Sequence, residues 1–577
     1  MMAPCPAAFI WGQNTLRDRS AEGMIDRVMG TGREQKVDFL VAGAGIAGLR
    51  GAIELASEGT VLVLAKNDLI DPTARQADDR VCQAIADDED PVFRLQDTVC
   101  AGDGLCREDA LQALAEEGPR QLQRLAEWGA RIATRTAAQI SQRPAAPQPS
   151  NQGRRRPHAG HTHAPVGSIS LEILRALAEK AKTLPALRIK ANAMIVDLLL
   201  EEGAVTGAIY LDEESHSLRT VRAKATLLAT GGLGQVYLET TNPPGASGDG
   251  VALAFRAGAL LSDLEFIQFH PTALCSKKEP RLMLSRALRE KGAVLRNLEL
   301  DRFMARYHEA GEMAPADVVS RAILNEMHKG PSDFVYLDLT ALDPDHVKRD
   351  FPRLFAACLQ SNIDITSDLV PTRPAAHFSI GGVATNSEGA TSMRGLFAAG
   401  EVASTGVHGA KRAANNALLE GLVFGARASQ AMIHGAPAAK FAPPPAPPAA
   451  SAARLEPVAE TRVPSVTGAV TGAVTGAAAG NDIRRLMWER AGIIRHGSKL
   501  KEASNRLAAF DFPRSHPPSR QSLESENLLQ AARLIARSAE ARKESRGVHY
   551  RADYPLRNDS QPARHSFVSR ESGVYFI

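Results

Sequence analysis

Residues 37–48 read Val-Asp-Phe-Leu-Val-Ala-Gly-Ala-Gly-Ile-Ala-Gly, so that an apolar run leads directly into a turn of the pattern Gly-x-Gly-x-x-Gly. A helical stretch follows up to Glu58-Gly59, and a second apolar run extends from Val61 to Leu64. In such a unit the first glycine permits a tight turn, the second lets backbone approach a pyrophosphate, and the third lets the helix pack against the strand. The pattern therefore favours a dinucleotide site over a structural Gly-rich turn, with the helix N-terminus facing the phosphates.

Two strand-to-glycine turns further along the chain support this interpretation. They are Leu227-Leu-Ala-Thr-Gly-Gly232 and Gly395-Leu-Phe-Ala-Ala-Gly-Glu401. The acid that binds a ribose in many NAD sites is missing at the end of the second strand, where Leu64-Ala65-Lys66 stands instead. The dinucleotide is therefore not expected to be NAD.

Composition excludes several classes of protein. With 68 Lys and Arg against 65 Asp and Glu, the net charge is +3, and no basic stripe marks a nucleic-acid interface. The six cysteines form no Cys-x-x-Cys pair, which argues against a disulfide framework or a zinc site and for a reducing compartment. No run of 18 apolar residues occurs, so no membrane span is expected. We therefore predict a cytoplasmic protein with a small-molecule substrate.

A chain of 577 residues is expected to form several domains. The amphipathic and low-complexity patterns predict a disordered N-terminal extension over 1–36 and a flexible Pro/Ala/Gly-rich linker over 435–481. Between them we predict a discontinuous nucleotide-binding domain over 37–244 and 367–434, interrupted by a separate lobe over 245–366. Helical spacing of apolar residues predicts a C-terminal helical domain over 482–577.

Longer motifs carry a resemblance to a known family. They are Gln268-Phe-His-Pro-Thr-Ala-Leu274, Pro374-Ala-Ala-His-Phe-Ser-Ile-Gly-Gly382, Gly400-Glu-Val-Ala-Ser-Thr-Gly-Val-His-Gly-Ala-Lys-Arg412, Asn415-Asn-Ala-Leu-Leu-Glu420 and Glu544-Ser-Arg-Gly-Val-His-Tyr-Arg551. With these motifs the chain, from about Val37 to Pro555, resembles the succinate dehydrogenase and fumarate reductase flavoproteins, and among them most closely the L-aspartate oxidases.

The resemblance implies a fold, a cofactor and a reaction. The expected fold is α/β: a Rossmann-like FAD-binding domain with an inserted α+β capping domain and a C-terminal helical bundle. The FAD is expected to be noncovalent, because no histidine precedes Thr73, where the dehydrogenases carry their flavin link. The implied reaction is oxidation of L-aspartate to iminoaspartate, with oxygen or fumarate as acceptor. The product would go to quinolinate synthase, on the route to NAD, through a transient contact.

The resemblance also implies roles for individual residues. An arginine fork suits a carboxylate, because it can bind both oxygens. The expected catalytic residues are Arg289, Arg412 and His377, and the expected substrate-binding residues are His270, Thr272, His377 and Arg412. The expected cofactor-binding residues are Gly43, Gly45, Ile46, Ala47, Gly48, Lys66, Thr230, Gly231, Gly232, Asp249, Glu401, Asn416 and Leu418. No metal site is expected, and the histidines at 158, 161 and 163 are interpreted as part of a solvated loop.

Several positions depart from the family pattern. The family's Leu-Ala-Pro-Arg-Asp motif, whose Arg is the main acid-base group, is represented by Met313-Ala-Pro-Ala-Asp317. The Glu of a Thr-Glu-Ala-x-Arg-Gly segment has become Arg286, whereas its Arg is kept as Arg289. An Ala-Gln-Gly-Gly-Ile segment is represented by Ala77-Asp-Asp-Arg-Val-Cys82, and a Glu-Gly-Gly-His-Ser segment has no counterpart before Arg154.

These departures leave three hypotheses for function. In the first, the chain oxidises L-aspartate, and Arg286 or Arg289 replaces the cation that is absent at Ala316. In the second, it is a related flavoprotein that acts on another dicarboxylate, such as succinate or fumarate. In the third, it is a catalytically degenerate paralogue with a binding role.

Overall fold

The computed structural model describes residues 34–67, 95–131, 169–276, 281–413, 416–443, 476–510 and 518–577. Several sequence-based predictions lie outside these ranges: nearly all of the N-terminal extension and the central part of the 435–481 linker. The segment Ala77–Cys82, the residue Thr73, the histidines at 158, 161 and 163, and Asn415 lie outside them as well.

The described strands and helices follow one another as α/β units, then a β-rich lobe, then helices. The strands are β1 (Gln35–Ala42), β2 (Val61–Leu64), β3 (Leu187–Lys190), β4 (Ala193–Glu201), β5 (Ala204–Asp212), β6 (Ser217–Leu228), β7 (Leu261–Ser262), β8 (Ile267–Leu274), β9 (Val294–Arg296), β10 (Val335–Asp338), β11 (Val370–Ser379), β12 (Gly382–Ala384), β13 (Leu396–Ala398), β14 (Ala403–Ser404), β15 (Ser566–Val568) and β16 (Tyr575–Phe576). The helices are α1 (Ile46–Leu55), α2 (Leu95–Ala101), α3 (Glu108–Glu127), α4 (Ile169–Lys182), α5 (Asp249–Ala257), α6 (Arg286–Glu290), α7 (Ala316–Lys329), α8 (Pro344–Asp350), α9 (Pro352–Leu359), α10 (Asn416–Ile433), α11 (Gly476–Ala491), α12 (Gly497–Ala509) and α13 (Arg520–Ala541).

The first sheet has the order β3-β2-β1-β6-β5-β4, and β13 pairs with the C-terminal end of β6. Strands β3, β2, β1, β6 and β13 are parallel, whereas β4, β5 and β6 form an antiparallel meander. Alternate residues of β1 enter two apolar cores, one on each face of the sheet. Because both faces are covered, β1 and β2 are apolar runs rather than alternating ones. The predicted Rossmann-like α/β fold is confirmed.

The register of the parallel strands places their carboxyl ends side by side. Ala42 pairs with both Leu64 and Leu228, so the turn after β1 lies between the ends of β2 and β6. Gly43 donates its N–H to the Leu64 carbonyl over 2.8 Å, and Ala229 donates to the Ala42 carbonyl over 2.8 Å. Ligands bind at this edge in open α/β sheets.

The inserted lobe has a sheet of its own, in the order β8-β11-β10-β9, and a core that runs from Leu274 to Val370. The predicted limits 245 and 366 need correction at both ends. Helix α5 packs in the core of the first sheet, and β11 pairs with β8 and β10 in the lobe. Strands β8 and β11 pass from one core into the other, because each contributes side chains to both. Sequence patterns could not show this, since apolar residues occur at both ends of such a strand and do not reveal which core each end enters.

The C-terminal region also differs from its predicted limits. Helix α11 begins at Gly476 rather than at 482, because the end of the low-complexity repeat is alanine-rich and alanine has the highest helix propensity. The last helix ends at Ala541, and the remaining residues form loops and the strands β15 and β16, of which β15 pairs with β7. None of the described helices is long and apolar enough to cross a membrane.

Candidate functional site

A cavity of about 370 Å³ lies at the carboxyl ends of β1, β2, β6 and β13. Its size is within the range of small-molecule sites. Eleven of the predicted cofactor-binding residues line it: Gly43, Gly45, Ile46, Ala47, Lys66, Thr230, Gly231, Gly232, Asp249, Glu401 and Leu418. The other two, Gly48 and Asn416, do not line the cavity but pack behind it. A Cβ on Gly48 would lie 1.9 Å from the Gly43 carbonyl oxygen, and Asn416 Nδ2 donates to Thr98 Oγ1 over 2.8 Å.

The two glycines that open the turn are required for different reasons. Gly43 has φ +110°, and a Cβ there would lie 2.2 Å from the Ala229 carbonyl oxygen, so the protein itself excludes a side chain. A Cβ on Gly45 would have no described atom within 4 Å and would project towards the cavity. The space beside Gly45 is therefore available to a ligand rather than filled by the fold.

This contrast gives a prediction. Gly43→Ala is expected to destabilise the apoprotein by about 2–4 kcal/mol, because it combines strained backbone with a clash against main chain. Gly45→Val is expected to leave the apoprotein's melting temperature almost unchanged and to weaken FAD binding at least tenfold, because its side chain occupies the ligand's space. Thermal unfolding of apoprotein and a flavin titration measure the two effects. A Gly45→Val variant that binds FAD normally would contradict this assignment of the cavity.

The polar groups of the cavity fit a dinucleotide such as FAD. Thr230 Oγ1 is buried and has no hydrogen-bond partner among the described residues, so the cavity contains a hydroxyl that needs a ligand. Helix α1 begins at Ile46 after Gly45, which provides no side-chain cap, and its first turn lines the cavity. Free N–H groups at a helix N-terminus bind phosphate well.

Lys66 and Asp249 explain the absent acid at the end of β2. Lys66 Nζ donates to Asp249 Oδ2 over 2.6 Å and to Ser247 Oγ over 2.8 Å. Lys66 and Asp249 line the cavity. The pair brings the carboxylate of Asp249, at the start of α5, to the end of β2. A carboxylate for a ribose hydroxyl is thus present, but it comes from another part of the chain.

Glu401 is a buried carboxyl on the cavity wall. It accepts hydrogen bonds from the Ser379 backbone N–H and hydroxyl, each over 2.9 Å. Burial raises the pKa of Glu401 to about 7, although the Ser379 bonds oppose this shift. Gly232 lies against it, since a Cβ there would be 2.1 Å from Glu401 Oε1.

The raised pKa of Glu401 predicts a pH-dependent stability of the apoprotein. The folded protein holds a proton that the unfolded chain releases above about pH 4.5, so this contribution is fully present below pH 4.5 and is lost as pH rises through 7. Glu401→Gln cannot ionise, so its stability relative to wild type should increase by about 3 kcal/mol between pH 4.5 and pH 8. Urea unfolding of both proteins at several pH values measures this. Parallel stability profiles would show that folding does not raise the pKa of Glu401.

Arg412 and His377 lie together at one end of the cavity. The Arg412 guanidinium is 5% exposed, lies 4.6 Å over the Phe378 ring, and donates from NH2 to His377 Nε2 over 3.2 Å. Burial and the nearby Arg412 charge lower the pKa of His377 well below its usual value. A neutral His377 that accepts at Nε2 carries its proton on Nδ1, which lies 2.9 Å from Thr241 Oγ1. The arginine is therefore held rigidly, with a neutral imidazole beside it.

His270 approaches this pair from the neighbouring strand. On β8 it is paired in register with Ala375 of β11, and its ring centroid lies 5.7 Å from that of His377. Burial, and then the charge of Arg289, lower the pKa of His270 to about 3. The shorter of its two Nδ1 contacts, 2.9 Å to the Thr272 carbonyl oxygen, favours a proton on Nδ1 and a lone pair on Nε2. The side chains of His270, His377 and Arg412 thus lie together where the paired strands β8 and β11 pass from one core into the other.

Thr272 and Arg289 lie behind this group and do not line the cavity. The buried Thr272 hydroxyl donates to the Leu284 carbonyl over 2.7 Å. Arg289 is buried, donates from NH1 to the Glu312 carbonyl, and has a pKa that burial lowers to about 10. Their direct contact with a substrate remains a prediction.

Arg286 cannot replace the cation that Ala316 lacks. Its side chain is 54% exposed and pairs with Glu290 at the surface, 3.0 Å away. The hypothesis that Arg286 covers for the missing cation is therefore wrong, because on this short helix its side chain faces solvent whereas Arg289 faces inward.

Sequence patterns missed the residues that hold these groups in place. Thr241 and Asn242 bond to His377, through its ring and its carbonyl oxygen respectively. Gln268 accepts the Arg412 backbone N–H over 3.0 Å, and Ser379 binds Glu401. The quoted motifs already contain three of the missed residues: Gln268, Phe378 and Ser379. Their positions within two residues of His270 or His377 could have indicated that they help to hold the site.

Comparisons with known proteins agree with this site. A family model described as "FAD binding domain" matches residues 38–418, and one described as "Fumarate reductase flavoprotein C-term" matches residues 517–575. The chain is 37% identical to the L-aspartate oxidase of Streptomyces coelicolor, over 92% of this chain and 91% of that protein. It is 36% identical to the L-aspartate oxidase of Pseudomonas aeruginosa, over 90% of this chain and 95% of that protein. Among solved structures, the flavoprotein FrdA of the E. coli quinol fumarate reductase superposes with a TM-score of 0.76 at 26% identity, covering 94% of this chain and 97% of that one. With a FAD-type cavity at the ends of its parallel strands and full-length relatives of this similarity, the chain belongs to the L-aspartate oxidase family of FAD-binding flavoproteins.

Proposed function

We propose that this protein binds FAD and oxidises L-aspartate to iminoaspartate. The observation that carries the proposal is the pair of Arg412 and His377 on the wall of the FAD-type cavity, with the ring of His270 5.7 Å from that of His377. Bound FAD would supply the two-electron acceptor for the hydride that leaves the second carbon of aspartate. The relatives at 36–37% identity, all named L-aspartate oxidases, support the choice of substrate.

Arg412 is suited to bind a carboxylate of the substrate. Its guanidinium is buried, stacked on Phe378 and oriented by His377, so little conformational entropy is lost when a ligand forms two parallel hydrogen bonds with it. Its charge is not balanced by an ion pair with either histidine, because burial keeps both rings neutral.

His270 is suited to hold a proton of the substrate. The lone pair assigned to Nε2 can accept a proton from the substrate's ammonium group, while Nδ1 remains bonded to the Thr272 carbonyl. An anionic substrate would raise the pKa of His270 from its low value and so favour this transfer. His377 is a second neutral acceptor, but its Nε2 already takes a hydrogen bond from Arg412.

The wider role follows from the family. We infer that oxygen or fumarate takes the electrons, that iminoaspartate passes to quinolinate synthase on the route to NAD, and that the protein works in the cytoplasm. The structural similarity to a fumarate reductase at 26% identity supports fumarate as one acceptor.

Anaerobic flavin bleaching tests the proposal. The purified protein, loaded with FAD, should be yellow. L-aspartate should bleach the absorbance band of its oxidised flavin at about 450 nm. In air the same reaction should release hydrogen peroxide. D-aspartate, which has the opposite configuration at the reacting carbon, and glutarate, which has two carboxylates but no amine, serve as controls.

Other outcomes would favour the other hypotheses. Bleaching by succinate but not by L-aspartate would replace the proposal with a plain dicarboxylate dehydrogenase. A protein that stays yellow with L-aspartate, succinate and fumarate would be a binding paralogue, in keeping with the loss of the family's arginine at Ala316 and of its glutamate at Arg286.

A further inference from the structure

The residue that precedes Arg412 connects the cavity to the inserted lobe. Lys411 Nζ donates to Asp317 Oδ1, and Asp317 is the second residue of α7 in the lobe. Lys411 itself lies on the loop that leads into α10 of the nucleotide domain. One ion pair thus joins the two units directly beside the proposed substrate site.

Asp317 is a junction between three parts of the molecule. Its Oδ2 atom lies 3.0 Å from Arg321 NH2, and the Arg321 guanidinium lies 4.8 Å over the ring of Tyr550 in the C-terminal segment. Burial on its own would raise the pKa of Asp317, but the charges of Lys411 and Arg321 outweigh burial and hold it below its ordinary value. The carboxylate therefore remains charged at neutral pH and can bind both cations.

The head of α7 lies close to the group that includes His270. One turn into the helix, Ser320 Oγ donates to the Ala316 carbonyl over 2.9 Å and lies 3.4 Å from the carbonyl of Phe269, the residue before His270. Because residue 316 is alanine, it contributes no cation to this face. The ammonium of Lys411 is bound instead to Asp317, the next residue of the helix.

The same loop carries Arg412. Its backbone N–H is fixed to Gln268 Oε1 of β8, and its side chain is fixed to His377 of β11. A shift of the lobe that broke the Lys411 ion pair would act on the peptide unit that carries Arg412. Lys411 is 21% exposed, so solvent can reach the ion pair when it opens.

We propose that the Lys411–Asp317 ion pair latches the inserted lobe onto the cavity and positions Arg412 for its carboxylate. Lys411 is a positioning residue in this arrangement, since it acts through Asp317 and the neighbouring arginine. The expected effect of Lys411 on aspartate binding rests on the proposed function, whereas the ion pair between the two units does not depend on it.

Hydrogen exchange tests the latch without any turnover. In the FAD-loaded protein, Lys411→Met keeps the aliphatic length and removes the charge. It should increase amide exchange in residues 316–329 about fivefold, as expected for loss of a partly buried ion pair. Lys291→Met is the matched control, because Lys291 pairs with Asp350 over 3.1 Å within the lobe. It should leave exchange in this helix unchanged. Unchanged exchange in Lys411→Met would overturn the latch.

A charge exchange separates an ion pair from a merely structural lysine. The double variant Lys411→Asp with Asp317→Lys should recover part of the protection that Lys411→Asp alone loses, because the new lysine meets the new aspartate but also lies beside Arg321. If the proposed function holds, Lys411→Met should raise the KM for aspartate about fivefold and change kcat less, and the double variant should lower KM again. Normal KM with altered exchange would keep the latch but reject the positioning of Arg412. No turnover in wild type, with altered exchange in Lys411→Met, would reject the proposed function alone.

Discussion

Ala316→Arg is expected to raise the rate of aspartate oxidation by about a hundred- to ten-thousand-fold, the range usually contributed by a positioned acid-base group. Family resemblance implies an arginine at this position, and Ala316 begins α7 one turn before Ser320, whose hydroxyl lies 3.4 Å from the carbonyl oxygen of Phe269, the residue before His270. We expect an arginine there to reach the group formed by His270 and His377, where burial keeps both imidazoles uncharged. Anaerobic stopped-flow measurement of flavin bleaching gives the rate of the reductive step directly.

Ala316→Met is the control for this gain. It adds side-chain length without charge, so it should leave the bleaching rate near that of wild type. An arginine variant no faster than the methionine variant would show that the chain has moved its acid-base chemistry elsewhere, with His270 as the residue to examine next.

Arg412→Ala should reduce kcat/KM for aspartate by about two to three orders of magnitude. Removing one partner of a buried charge interaction costs about 3–5 kcal/mol, and each 1.4 kcal/mol is a factor of ten. Arg412→Lys should recover little of this loss, because an ammonium cannot form two parallel bonds with a carboxylate or stack on Phe378 as a planar group. Steady-state peroxide assays and titration with a nonreacting dicarboxylate measure turnover and binding separately.

Arg394→Ala provides the matched control, since Arg394 is exposed and donates to the Glu202 carbonyl away from the cavity. It should retain wild-type kcat/KM. Equal losses in Arg394→Ala and Arg412→Ala would mean that general stability, not carboxylate binding, limits the assay.

The Gly-rich turn shows how much local sequence could predict. Its glycine spacing specified the strand, turn and helix, and the structure places Gly43 and Gly45 on the cavity as expected. The positive φ of Gly43 is a matter of local sterics, which favour glycine there, whereas the close approach of the Ala229 carbonyl oxygen comes from a distant strand. The histidine and arginine positions were predicted by motif resemblance and not by local physics.

The pair formed by Lys66 and Asp249 shows where local sequence was insufficient. The two residues are 183 positions apart, and only the packing of α5 against the sheet brings the carboxylate to the end of β2. The same applies to Arg286 and Arg289, which are three residues apart but differ in environment, since one faces solvent and the other is buried.

By itself, the sequence determined the nucleotide-binding turn and the α/β fold class, and it predicted polar residues for the site. The tertiary structure alone decided which of those residues meet, because the antiparallel pairing of β8 with β11 brings His270 next to His377. It also decided that Lys411 reaches Asp317 across the domain boundary. Turn geometry depends on the few residues that form it, whereas contacts between distant segments and the burial that shifts a pKa depend on how the whole chain packs.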